Sequence, residues 1–412
     1  MEQDGLLPHL FRTEYSKIIA VLCNHFGIKY IEVAEDIVSD TFLTATELWG
    51  MKGVPPNPVA WLYTVAQNKT RNYLKRDNLF EKKIIPDLKN QSAGTEIDID
   101  LSSTAIADSQ LAMIFTVCHP SVSKEAQVAL ALNLLCGFGV QEIADAFLSN
   151  NETVYKRLKR AKEKLREENI SISPPSVQMV AERIETVLTT LYLLFNEGYY
   201  SVSGQHPLKK ECCMEAMRLN LLLLANTVTN TPAANALMAL MCFHASRFEA
   251  RTNSKGAVIL YEDQDTRLWN SELIENGLYY LNRSAGGSGI SKYHLEAGIA
   301  YWHTHPEDNK EKWEAILQLY NKLLILEYTP VAALNRTYAL AKANGTEEAI
   351  AAAEKLHLTD NHFYFVLLGT LYLDQKNTRK ARTLFQTARD VARSKNDQQL
   401  IQKKIDELKD KP

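Results

Sequence analysis

The stretch that most constrains this chain is residues 139–166, GVQEIADAFLSNNETVYKRLKRAKEKLR. It reads as two short helices around a sharp turn. In the first, Ile143, Ala144 and Phe147 share a face, and residues 148–151 break the pattern. Ser149, Asn150 or Asn151 can cap the helix that follows. From Thr153 onward, Val154, Leu158, Ala161 and Leu165 form an apolar stripe at helical spacing. The remaining faces carry Lys156, Arg157, Lys159, Arg160, Lys162, Lys164 and Arg166, opposed within that span only by Glu163. Most runs of charge are solvated helix faces. An apolar first helix, a tight turn and a second helix of one sign form instead the pattern of a helix-turn-helix that lies in a DNA groove.

The 412 residues are enough for two or three domains. With 46% apolar and 23% charged residues the composition is that of a globular protein. The net charge of -3 conceals segregation, because acidic stretches elsewhere offset the basic helix. Cys23, Cys118, Cys136, Cys212, Cys213 and Cys242 form no C-x-x-C pair and sit mostly in apolar runs, as buried thiols in a reducing compartment would. The opening residues lack the basic-then-apolar order of a signal peptide. The longest apolar runs, such as residues 128–136, are far short of a membrane span and include Asn133. A cytoplasmic location is expected, with no membrane contact.

Ahead of the basic stretch, residues 6–26 show an amphipathic helical pattern. A second follows over residues 33–49, with Ala34, Ile37, Val38, Thr41, Phe42, Ala45, Leu48 and Trp49 inward and Glu35, Asp36, Ser39, Asp40, Thr44 and Glu47 outward. Residues 50–58, GMKGVPPNP, form an irregular loop fixed by two glycines and three prolines. A third helix places Trp61, Leu62, Val65, Ala66 and Tyr73 inward, and Asn68, Lys69, Arg71, Asn72, Lys75 and Arg76 outward. Residues 81–105 lose periodicity and gain acids, Pro86 and Gly94, and read as a linker. Helical pattern returns over residues 107–136, with Ser123 and Glu125 marking a helix start.

Residues 34–49 (AEDIVSDTFLTATELW) with residues 57–76, and then residues 123–165, resemble regions 2 and 4 of the extracytoplasmic-function group of sigma-70-type sigma factors. The resemblance implies a region 2 domain over 5–80, a linker over 81–105 and a region 4 helix-turn-helix over 106–169. It implies that the second helix docks through Asp36, Asp40 and Glu47 on the β′ clamp helices of core RNA polymerase, with the β flap as a further polymerase partner. It further implies that Asn57, Asn68, Arg71, Asn72 and Arg76, beside the loop 50–58, read a melted -10 strand; Trp61 is read as core from its apolar spacing. The helix from Thr153 would face the -35 major groove, with Tyr155, Lys156, Arg157, Lys159, Arg160 and Lys164 in reach of guanine edges or phosphates. Tyr155 and Lys156 stand where the family often has small polar residues, so the promoter sequence does not carry over.

Residues 170–176 (ISISPPS) look like a linker, and more than half of the chain follows. Residues 178–199, 208–227 and 233–250 read as helices, with a break or hairpin over 251–259. Leu368 to Tyr372 (LGTLY) followed by Ala381, Phe385 and Ala388 has tetratricopeptide spacing, with weaker copies at Gly298 and Asn335; these anchors recur at roughly the 34-residue period. The fold expected is all-α: two small sigma-type domains, then a helical extension over 176–412 with repeats from about residue 290. The extension resembles that of a sigma-factor subgroup with a long C-terminal domain, and control of the sigma domains in cis by intramolecular contact is expected. His303, His305, Glu307 and Asp308 are a weak metal pattern, because i and i+2 do not share a helical face. Glu262, Asp263 and Asp265 read as a capped, solvated acidic turn. Residues 286–289 (GGSG) have no strand-helix flank for a phosphate loop. No covalent chemistry, cofactor or metal is expected.

Overall fold

The computed structural model describes residues 3–80, 100, 102–146, 149–200, 208–251, 259, 261–287, 289–392 and 395–408, with the side chains of 3–5, 74–80, 146, 200, 208–209 and 395–396 excepted. It is all-α, with eighteen α-helices and no strand among the described residues. The chain divides into two compact units, residues 1–234 and 235–412.

The first unit is built on α1 (Gln3–Phe26), α2 (Ile31–Lys52), α3 (Pro58–Phe80), α4 (Ser103–Val117), α5 (Lys124–Leu130), α6 (Val140–Ala146), α7 (Asn151–Glu167), α8 (Val177–Tyr200) and α9 (Leu208–Ala225). Residues 18–23 of α1 are buried without interruption, and so are residues 109–117 of α4. Six or more successive residues cover every side of a helix, so residues 18–23 and 109–117 are enclosed all round, whereas the first half of α1 keeps the amphipathic pattern with Pro8, His9 and Phe11 exposed. They touch each other, and Asn24 Nδ2 donates to Ser109 Oγ at 3.1 Å across the contact. Around α1 lie α2 and α3, locked by Phe11 against Phe42 at 5.0 Å and Trp49 against Trp61 at 5.3 Å. Ser123 caps α5 as its sequence context indicates, and α5 continues into a π-helical turn over Ala131–Leu135. Gly137, at φ 71°, then redirects the chain toward α6.

Several boundaries move. The loop expected over 50–58 is helical to Lys52; Gly53 ends the helix at φ 83°, donating to the Trp49 carbonyl at 3.0 Å. Tyr73, expected inward, is 37% exposed, whereas Tyr63 is buried and donates to Glu14 Oε2 at 3.2 Å. The end of the linker, Ser103 onward, is already helix, capped by Ser102; residues 81–99 lie outside the described residues. The extension expected from residue 176 gives its first two helices to the first unit. There α8 packs on α4 and α5, and α9 on α4 and α6. Arg218 donates to the Leu135 carbonyl at 3.0 Å, and Arg12 pairs with both Glu142 (3.2 Å) and Glu211 (2.9 Å).

In the second unit, α10 (Pro232–Ala245) is followed by a 3-10 turn at Tyr261–Asp263 and by α11 (Ser271–Ser284). Then come the helix pairs α12 (Lys292–Trp302) with α13 (Lys310–Leu326), α14 (Pro330–Asn344) with α15 (Thr346–Glu354), and α16 (His362–Asp374) with α17 (Thr378–Val391), closed by α18 (Lys395–Glu407). These pairs are the repeats the 34-residue spacing indicates. A Cβ at Gly369 would lie 2.7 Å from Phe385, and one at Gly298 would lie 3.2 Å from Leu319, so glycine permits the close approach at both anchors. Asn335, the third anchor, is exposed instead. Thr329 caps α14 and Pro330 occupies its first turn. Of the break or hairpin expected over 251–259, residues 252–258 lie outside the described residues.

Candidate nucleic-acid interface

The basic hairpin is formed by α6 and α7 packed together. Of the three candidate caps, Asn150 serves: its Oδ1 accepts the Thr153 N–H at 2.7 Å. Val154, Leu158, Ala161 and Leu165 are all buried, which fixes the rotation of α7 about its axis. That rotation leaves Thr153, Tyr155, Lys156, Lys159, Arg160 and Lys164 exposed and Arg157 half-buried. Lys159 and Arg160 have no ion pair among the described residues. Lys156 and Lys164 make only i,i+4 pairs, with Glu152 (2.6 Å) and Glu168 (3.0 Å). Exposed pairs of this kind contribute little and are readily exchanged for phosphate. Phe147, placed on the inner face of the first helix, lies outside the described residues.

Two cations of the same helix turn the other way. Lys162 is 9% exposed and donates to both carboxylate oxygens of Glu35 on α2, at 2.6 and 2.8 Å. Arg166, one turn on, donates to Glu32 at 2.9 Å. Burial pushes the Glu35 carboxyl above its ordinary range, and the Lys162 charge only partly opposes this. The sequence carried a faint signal: Lys162 is four residues after Leu158 and three before Leu165, on the edge of the apolar stripe.

On α2, Asp36, Asp40 and Glu47 are exposed and share one helical face. Asp40 is engaged, since Lys69 of α3 donates to it and, at 2.9 Å, to Thr44. On α3, Asn68 and Asn72 are exposed and Arg71 is half-buried; Arg76 lies on the helix with its side chain outside the described set. Asn57 has a structural task, accepting the Ala60 N–H at 3.0 Å as the helix cap. The half-buried Trp61 packs edge-on against Trp49, as its core assignment requires.

Elsewhere the weak patterns resolve. Among the described residues no group of three or more His, Cys, Asp or Glu side chains is placed to hold a metal. His303 caps α12 and His305 bonds the Tyr301 carbonyl at 3.1 Å. Asp265 caps a short turn and binds Arg267, while Glu262 accepts from Tyr338. All six cysteines are buried free thiols, with Cys118, Cys212 and Cys242 pushed up to about 12 by burial. No helix among the described residues is long and apolar enough to cross a membrane.

These features define a class: an all-α protein of two helical units, the first presenting a basic helical hairpin and the second a stack of helix pairs. Residues 183–285 match a family of unknown function, DUF6596, which spans most of α8 to the end of α11. An uncharacterized protein of Rhizobium meliloti (strain 1021) is 32% identical over 389 residues, covering 93% of this chain and 91% of the relative. The chain belongs to the same family as that protein. No solved structure matches it.

Proposed function

We propose that the protein is a sigma factor: it binds core RNA polymerase through the acidic face of α2 and reads promoter DNA with α3 and α7. It performs no covalent chemistry and acts in the cytoplasm. The observation that carries this reading is the outward face of α7. Tyr155, Lys156, Lys159 and Arg160 are exposed together on a helix whose opposite side is anchored in the core. A hairpin of this form suits a major groove. The resemblance of residues 34–76 to region 2, ahead of the hairpin, favours a sigma factor over a simple DNA-binding regulator, which has no use for a module that reads single strands.

The proposal includes control in cis. In this conformation Lys162 and Arg166 hold α7 to Glu35 and Glu32 of α2, and α8 and α9 cover α4 to α6. Reading two separate promoter elements requires the α2–α7 latch to open, and the helices after residue 176 bias that equilibrium. Run-off transcription with core polymerase on a genomic fragment library tests the function. Transcripts that depend on the full chain are expected; their absence, together with failure to co-purify with core polymerase, overturns the assignment.

A further inference from the structure

The second unit holds a cleft of about 270 Å³ that the sigma-factor reading does not use. Its walls are Tyr261 from the 3-10 turn, Trp313 and Tyr320 from α13, and Tyr338 from α14, with Glu262, His303 and Asn335 completing the lining. Neighbouring rings meet edge to face: Tyr261 and His303 at 5.0 Å, His303 and Trp313 at 5.8 Å, Trp313 and Tyr338 at 5.4 Å. Trp269 stacks on Tyr261 at 6.2 Å.

The polar atoms around these rings are mostly committed to holding them still. Tyr261 donates to the His303 carbonyl at 3.0 Å and accepts from Lys312 Nζ at 3.0 Å; Lys312 also donates to the His305 carbonyl at 2.6 Å. Asp308 accepts from Trp313 Nε1 and, at 3.1 Å, from Lys342. Glu262 accepts from Tyr338 and lies 3.7 Å from Lys342. Lys342 Nζ stands 5.7 Å from the Trp313 ring centroid and 5.8 Å from that of Tyr338, so the place a ligand cation would take over these faces is already filled. The two lysines are spent in turn on carboxylates and carbonyls, which leaves little for an anion.

Two groups are left over. The buried Nδ1 of His303 has no hydrogen-bond partner. The imidazole stays neutral, its pKa lowered to about 3 chiefly by burial. The exposed Asn335 carboxamide makes no hydrogen bond among the described residues, although its position in the repeat is glycine in the other two copies. A buried polar atom without a partner costs about 1–3 kcal/mol, and this one belongs to a residue that lines the cleft.

We propose that this cleft binds a small, uncharged, planar aromatic molecule, held among the Tyr261, Trp313 and Tyr338 rings with its polar edge on the Asn335 carboxamide. A flat amide or amidine edge matches a carboxamide donor–acceptor pair, and rings fixed beforehand lose little entropy when a flat ligand enters. The site is independent of the transcriptional reading, because its binding is measured without DNA or polymerase.

Saturation-transfer NMR on the full chain tests it, with adenine, nicotinamide and benzamide as probes and benzoate, benzylamine and cyclohexanecarboxamide as controls. The three neutral aromatic probes are expected to bind at millimolar concentration or tighter and the controls to bind at least tenfold more weakly. Asn335→Leu, at an exposed position, is expected to weaken the aromatic probes by roughly tenfold, the loss of one or two hydrogen bonds. Tyr338→Leu removes a wall and is expected to do the same. Failure of all three probes, equal binding of cyclohexanecarboxamide, or binding indifferent to both substitutions would each overturn the site.

Discussion

Lys162 shows how much one side chain can decide. Its charge is buried between α7 and α2, and Glu35 is its compensation. Removing one member of a buried pair leaves the other uncompensated, so Lys162→Met should destabilise the first unit by about 3 kcal/mol in urea unfolding. Glu35 itself has a raised folded-state pKa, so the folded chain binds that proton more tightly than the unfolded one. Stability from this group is therefore present at low pH and is lost as pH rises from the ordinary glutamate range through the raised value. Thermal melts of wild type and Glu35→Gln should diverge across that window, the variant gaining relative to wild type as pH rises. His303 has the opposite slope. Its folded pKa of about 3 lies below the unfolded value of 6.5, so stability is lost as pH falls through that interval, by up to about 1.4 kcal/mol per pH unit. His303→Gln should flatten the acid limb of the melting curve; an unchanged limb would mean that the imbalance lies with other groups.

At the scale of single elements, the two faces of α7 divide its work. The inner stripe and the polar outer face were both legible in the sequence, because a helix with period 3.6 sorts residues by position alone. The partner of its edge was not, because Glu35 lies 127 residues earlier than Lys162 and no local rule links them. If the outer face meets DNA, Lys156→Glu with Arg160→Glu should weaken promoter binding and lower the slope of log K against log salt by about 1 for each lost phosphate contact. Binding and slope that survive both changes would refute the assigned face. The repeats offer a purely structural counterpart. Gly369→Ala sets a methyl group 2.7 Å from Phe385, closer than side chains pack, and should cost about 1–3 kcal/mol in chemical denaturation of the second unit. The glycine was recognisable from its period, but the ring that needs its space appears only when α16 and α17 are paired.

For the whole molecule, the division at residues 234 and 235 changes where the chain should be cut. A fragment ending at Pro175 strips α8 and α9 from α4, α5 and α6 and exposes the apolar faces they cover. It should melt at lower temperature and with less cooperativity than the full chain. A fragment ending at Ala234 retains the first unit and should unfold as a single cooperative transition. Calorimetry on both fragments checks this: equal cooperativity would show that α8 and α9 are dispensable to the unit. Transcription assays of cis-control belong on the longer fragment, where loss of output reports regulation and not unfolding.

The sequence by itself determined the all-α class, the cap at Ser123, the stripe of α7 and the repeat spacing. Each of these depends on residues within a turn or a repeat of one another, and helix geometry converts short-range spacing directly into structure. The tertiary structure alone decided that residues 18–23 of α1 and 109–117 of α4 are enclosed on all sides, that α8 and α9 belong to the first unit, that Glu35 receives Lys162, and that Asn335 opens onto an aromatic cleft. Those outcomes depend on which surfaces meet far beyond one repeat, 85 residues apart for Asn24 and Ser109 and 127 for Glu35 and Lys162, a choice made by the burial of whole faces and not by any local pattern.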